Sequence, residues 1–170
     1  MKEDVLFQSL LLGNDWKLEP GRTHIIKERR PELAVDCFIQ LLERGYEGLY
    51  ITRQHPDHIE QAYRMRGSRI IWLSTMLGKD HIDPHNLSSL TNLICNFLND
   101  SGARVVALDG LEYLVVNNDF DRVLRFVECV SEAAANKGTV LLISVDERAF
   151  EEREMAFIEK NSNSLLPKPN

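Results

Sequence analysis

The chain has 170 residues, 44% hydrophobic and 27% charged, which suits one domain that buries its core without disulfides or structural metal. Twenty basic against twenty-six acidic side chains give a net charge of −6 and a pI near 5.4, a balance that argues against a nucleic-acid-binding surface. The opening "MKEDVLFQSLLLGNDWKLEPG" lacks the basic-then-apolar pattern of a signal peptide, and no apolar run approaches the ~20 residues that span a bilayer, so a cytoplasmic location is expected.

Residues 1–19 read as an appendage whose Val5, Leu6, Leu10 and Trp16 are candidates to dock on the core or on a partner. After the Pro20-Gly21 turn signal, "THIIKE" is the first strand. Leu33, Ala34, Cys37, Phe38, Leu41 and Leu42 then fall on one face of a helix that Pro31 opens and Gly45 stops. "EGLYITR" is the second strand, "PDHIEQAYRMRG" a shorter helix and "RIIWLST" the third strand. Asp83 and Pro84 are expected to cap the next helix, whose buried stripe is Leu87, Leu90, Ile94, Phe97 and Leu98.

The fourth strand opens "RVVALDGLEYLVVNNDF" and runs at least from Arg104 to Leu108. Asn117, Asn118 and Asp119 offer a cap for the helix "FDRVLRFVECVSEAAANKG". "TVLLISV" is the fifth strand. Asp146 is expected to cap a final helix whose Glu151, Glu152 and Glu154 suit its positive end. Residues 161–170 are expected to fray, leaving a single domain over 20–160.

Alternating strands and helices, with strands apolar on both faces, predict a three-layer α/β/α sandwich around a mostly parallel five-stranded sheet. Ligands of such sheets bind beyond the carboxyl ends of the strands. Those ends deliver Lys27 and Glu28, Thr52 and Arg53, Ser74 and Thr75, Asp109, then Ser144 and Asp146.

Asp109 stands where nucleotide hydrolases hold magnesium, but a phosphate loop needs glycines, a lysine and a hydroxyl after the first strand. That turn is "KERRPEL", with no glycine and a proline. Gly78-Lys79 follows the wrong strand and precedes Asp80. A receiver domain fails as well, for want of paired acids after the first strand and a lysine after the last. The pairs His55/His58 and His81/His85 lack cysteine partners and an HExxH pattern, so they read as surface histidines rather than a zinc site. No GxSxG elbow marks a serine hydrolase. Cys37, Cys95 and Cys129 form no CxxC pair and read as packed, reduced thiols. Arg64, Arg66 and Arg69 read as a solvated helix end.

The stretches "GLYITRQHPDHI", "IIWLS", "VVALDGLEYLVVNNDF" and "LLISVDERAF" together resemble the archaeal family known as domain of unknown function 835, from about Leu18 to Lys160. Thr52-Arg53-x-x-Pro56 and Asp109-Gly110-x-Glu112-Tyr113-Leu114 followed by Asn118 carry the resemblance most specifically. Asp119 stands where that family often has glycine. The resemblance implies a RecA/KaiC-type core without its phosphate loop, in archaeal cytoplasmic modules sometimes joined to sensor or signalling domains. It carries over no catalytic residue, and no metal or cofactor is expected.

The expectation is therefore a non-catalytic module that works through a protein partner or self-association, with no nucleic-acid or membrane partner. The contact candidates are Lys27, Arg29, Thr52, Arg53, Asp109, Glu112, Tyr113 and Asn118. Tyr113, Trp16 and Phe120 are further side chains of the kind that anchor interfaces. The alternative is a nucleotide- or anion-binding protein that uses the carboxyl-end edge of the sheet, with Asp109 and Glu112 kept for magnesium and Lys27, Arg29 or Arg53 replacing the phosphate loop.

Overall fold

The computed structural model describes residues 10–11, 17–160 and 162–165; Val5, Leu6 and Trp16 lie outside them. The described elements begin with β1 (Leu10–Leu11), β2 (Lys17–Leu18), β3 (Thr23–Lys27) and α1 (Glu32–Glu43), then β4 (Glu47–Thr52) and α2 (Pro56–Ala62). β5 (Ser68–Leu73), β6 (His81–Ile82), α3 (Leu87–Asn99), β7 (Arg104–Asp109) and α4 (Leu111–Asn117) follow. The last elements are α5 (Phe120–Lys137), β8 (Val140–Val145), a 3-10 turn over Glu147–Ala149, α6 (Glu152–Glu159) and β9 (Asn163–Leu165).

β1 and β2 pair antiparallel on their own, and Leu18 buries its side chain in the core. The main sheet has seven strands among the described residues, in the order β6-β5-β4-β7-β8-β3-β9, and every pairing in it is parallel. The expected five-stranded sheet is thus extended at both edges. β6 and β9, two and three residues long, are too short to show a hydrophobic period, and β9 lies in the polar tail expected to fray.

Alternating side chains on the central strands feed two separate cores. Ile25, Leu49, Ile51, Val106, Leu108, Leu141, Ile143 and Val145 join α3, α4, α5 and α6. Ile26, Tyr50, Val105, Ala107, Val140 and Leu142 join α1 and α2. These are the two faces of the sandwich.

Helix ends differ in detail from the sequence reading. α3 starts after Asn86, whose side chain accepts from Ser89 N–H, while Asp83 turns to His85 N–H and its ring. Asp146 accepts from Arg148 N–H and opens the 3-10 turn rather than a helix. α6 begins one turn later, where Glu154 accepts from Glu151 N–H. Asp119 precedes α5 without a side-chain cap bond, and Asn117 and Asn118 turn back onto carbonyls of Tyr113 and Leu114. Of the three cysteines, Cys37 is packed as expected, but Cys129 is exposed, because it lies beside rather than on the buried stripe of α5 formed by Val123, Phe126, Val127, Val130 and Ala134.

α1 approaches the sheet closely at Gly48. A Cβ there would lie 2.5 Å from Phe38 Cζ and 2.7 Å from Leu42 Cδ2. Phe38 is fully buried against Tyr50, with ring centroids 5.4 Å apart, so it has little room to yield. Gly48→Ala is expected to destabilise the fold by about 1–3 kcal/mol, as measured by urea unfolding.

Candidate functional site

The carboxyl ends of β3, β4, β7 and β8 open into a groove of about 630 Å³. Register brings the polar ends together, with Thr52 beside Asp109 and Asp109 beside Ser144. Alternation then decides which face each side chain serves. Thr52, Asp109, Ser144 and Glu28 share the parity of Tyr50, Ala107, Leu142 and Ile26, and so belong to the α1 side.

Asp109 is only 9% exposed. Its carboxylate accepts from Thr52 Oγ1 at 3.1 Å and from Gln54 Nε2 at 3.2 Å. Thr52 Oγ1 in turn accepts from Gln54 N–H at 3.0 Å. Burial pushes the Asp109 pKa up, against these hydrogen bonds and the nearby Arg53 charge. Gly110, at φ +122, lets the chain leave β7 and enter α4 at once, which places Glu112 beside the same groove. The Glu112 carboxylate accepts from Asp146 N–H, tying α4 to the end of β8, and its pKa is raised chiefly by burial.

Glu28 occupies the turn between β3 and α1. Its carboxylate accepts from Leu33 N–H at 2.8 Å and Ala34 N–H at 3.1 Å, at the start of α1, and from Ser144 Oγ at 2.8 Å. These are the free donors that begin any helix and that commonly receive anions. Here the chain supplies the anion itself. Burial raises the Glu28 pKa and the Asp109 charge adds to the rise, while its three hydrogen bonds oppose it.

The eight contact candidates separate. Arg29, Arg53, Asp109 and Glu112 line the groove, with Arg30 and Gln54 beside them, and Thr52 supports it from beneath. Lys27 has the parity of Ile25 and points to the other face, where it pairs with Glu159 at 2.5 Å and Glu147 at 3.5 Å. Hydrogen bonding to Glu159 raises its pKa. Asn118 donates to Pro84 O at 2.8 Å and Leu114 O at 2.9 Å, holding the loop before α3. Tyr113 and Phe120 pack, half-buried, against the α3–α5 core.

Glu28, Ser144 and Asp146, read from the sequence as strand-end residues but not as contact candidates, complete the groove with Gln54. Strand parity is the signal that places Glu28 and Ser144 there. Histidines of both pairs are engaged within the chain. His55 accepts from Asp57 N–H to cap α2, and its ring stands 4.8 Å from Trp72, which is 5.0 Å from His81. Among the described residues, no three His, Cys, Asp or Glu side chains assemble to hold a metal ion. Thr52 and Gln54 both donate to Asp109 Oδ2, and Asp146 N–H donates to Glu112 Oε1.

The family model described as "Protein of unknown function (DUF835)" matches residues 27–161. The chain belongs to the DUF835 family. None of the curated proteins matches its sequence. Among solved structures, the crystal structure of flagellar accessory protein FlaH from Methanocaldococcus jannaschii is similar at TM-score 0.63 and 15% identity, over 86% of this chain and 71% of that one. The likeness shows the fold, which is RecA-like, and no more than the fold. No helix among the described residues is long and apolar enough to cross a membrane.

Glu28, Asp109 and Glu112 of this DUF835 chain all have pKa values raised above the ordinary 4.5, 3.8 and 4.5. Their protonated forms suit the fold, so their contribution to stability is lost as pH rises through the raised values. Relative to a Glu28→Gln/Asp109→Asn/Glu112→Gln variant, the wild type is expected to gain stability on acidification from neutral pH towards the ordinary carboxyl range. His24, whose pKa burial lowers, acts in the opposite sense but equally in both proteins. Urea unfolding of the two proteins across that range measures the difference.

Proposed function

We propose that the chain is a RecA-like module that works by contact with other protein and catalyses no reaction of its own. The observation that carries this reading is the Glu28 carboxylate on the N–H groups of Leu33 and Ala34. In a nucleotide-binding protein of this architecture, the phosphates need the backbone donors of the turn after this strand and of the helix start. Here those two donors serve a carboxylate, and the turn has no glycine to bring further backbone close. A polyphosphate entering the groove would also meet Asp109 and Glu112, two more acids with low access to water.

Exposed apolar side chains support the contact reading. Leu77 is 100% exposed beside Met76 in the loop after β5, and Val116 is exposed at the end of α4. Tyr113 and Phe120 belong more to the core than to such a surface. The family resemblance supports an archaeal, cytoplasmic setting in signalling or regulation.

A second reading, nucleotide or anion binding, is favoured by one observation: Arg29, Arg30 and Arg53 all line the groove. Thermal unfolding with millimolar Mg-ATP, Mg-GTP and cyclic nucleotides separates the two. The contact module is expected to keep its Tm unchanged with all of them. A stabilisation by nucleotide that Asp109→Asn abolishes would replace the contact reading with the binding one.

A further inference from the structure

Two more grooves, one at the β5–β6 edge of the sheet and one between two helices, carry opposite charge. The first, about 700 Å³, runs from the end of α2 along β5 to β6. Its walls hold four cations, Arg64, Arg66, Arg69 and Lys79, against Glu60 and Asp80. Arg69 is held by Asp80 at 2.6 Å. Arg64, Arg66 and Lys79 are exposed and have no acidic partner among the described residues. The second groove, about 560 Å³, lies between the starts of α5 and α6. It gathers Asp119, Asp121, Glu151 and Glu154 against the single cation Arg153, which lies over the ring of Phe157 at 5.6 Å. Asp119, Asp121 and Glu151 are exposed and meet no cation among the described residues.

Both grooves have an apolar floor between the charges. Tyr63, Met65 and Ile70 form it in the basic groove, and Phe120, Leu124 and Phe157 in the acidic one. Phe157 is 41% exposed, a large apolar side chain lining the same groove as these acids. An apolar centre inside a charged rim is the arrangement of a protein interface, and rim charges of opposite sign steer and orient two partners.

We propose that the basic groove of one copy receives the acidic groove of a second copy, so that the chain associates head to tail. The partner is chosen by complementarity: the chain that offers three cations without an acidic partner in one groove offers three carboxylates that meet no cation in the other. Because the two surfaces are different, the contact is heterologous and leaves one free groove at each end of a dimer. The inference deepens the contact-module reading, since it names a second copy as the partner. It involves neither Glu28 nor Asp109.

Sedimentation velocity over a concentration series tests it, in low salt and in about 0.5 M salt, where exposed charge pairs are largely screened. The wild type is expected to associate in low salt and to dissociate in high salt. Two variants, Arg64→Glu/Arg66→Glu/Lys79→Glu and Asp121→Lys/Glu151→Lys, are each expected to associate about 10-fold or more weakly alone. Their equimolar mixture is expected to recover association, because each supplies the groove that the other has lost. Far-UV circular dichroism confirms that both variants fold. A wild type that stays monomeric in low salt overturns the proposal, and so does association indifferent to salt or to both sets of reversals. A mixture that fails to recover overturns it as well. Such failure leaves the contact-module reading standing, because that reading falls only to the nucleotide titration.

Discussion

Burial of the central strands on both faces is the constraint on which the site depends. β3, β4, β7 and β8 send alternate side chains to two cores that do not share residues. Each polar residue at a strand end therefore inherits a face from the apolar residues before it. Glu28, Thr52, Asp109 and Ser144 inherit the α1 face and converge. Lys27, one residue earlier than Glu28, inherits the other and is drawn to Glu159 and Glu147. A single step along the chain separates the acid that fills the helix start from a cation of the kind that serves a phosphate.

The Glu28 contact has consequences for what the groove can accept. Three hydrogen bonds favour its ionised form, yet burial and the charge of Asp109 outweigh them and raise its pKa. An acid held in that balance is strongly fixed in place but only weakly committed to its charge. Because it is part of the chain, it sits on the N–H groups of Leu33 and Ala34 without the loss of translational freedom that a bound anion undergoes. An incoming phosphate would have to displace it and leave a buried carboxylate without those donors. The same contact also fixes the β3–α1 turn, with Pro31 as the residue before the helix.

Much of this was legible in the sequence, for a physical reason in each case. Five strands showed themselves because four to six residues of apolar run are enough to mark burial on both faces. α1, α3 and α5 showed themselves through their repeating stripes. The edge strands β6 and β9 did not, since two or three residues paired on one side carry no period. Asp146 was correctly seen as a cap, but the 3-10 turn it opens has no apolar stripe to distinguish it from the first turn of α6. Asp83 lost the α3 cap to Asn86, three residues closer to the stripe at Leu87. For the site, residue types at the strand ends pointed to Asp109 and Glu112. Parity, not residue type, was needed to exclude Lys27 and to include Glu28 and Ser144.

A net charge of −6 likewise conceals how the charges are arranged. Arg64 and Arg66 lie before β5 and Lys79 after it, fifteen residues apart at their widest, and the parallel β5–β6 connection folds the later residue back beside the earlier pair. Asp119 and Asp121 are brought to Glu151 and Glu154 by the packing of α5 against α6. Composition argues against a basic surface only when charges are averaged over the whole molecule. The Debye length at physiological salt is about 8 Å, so two surfaces in contact respond to the charges within one groove and hardly to more distant ones. The fold gathers the two sets of charges in different grooves, which gives an acidic chain one surface that is locally basic.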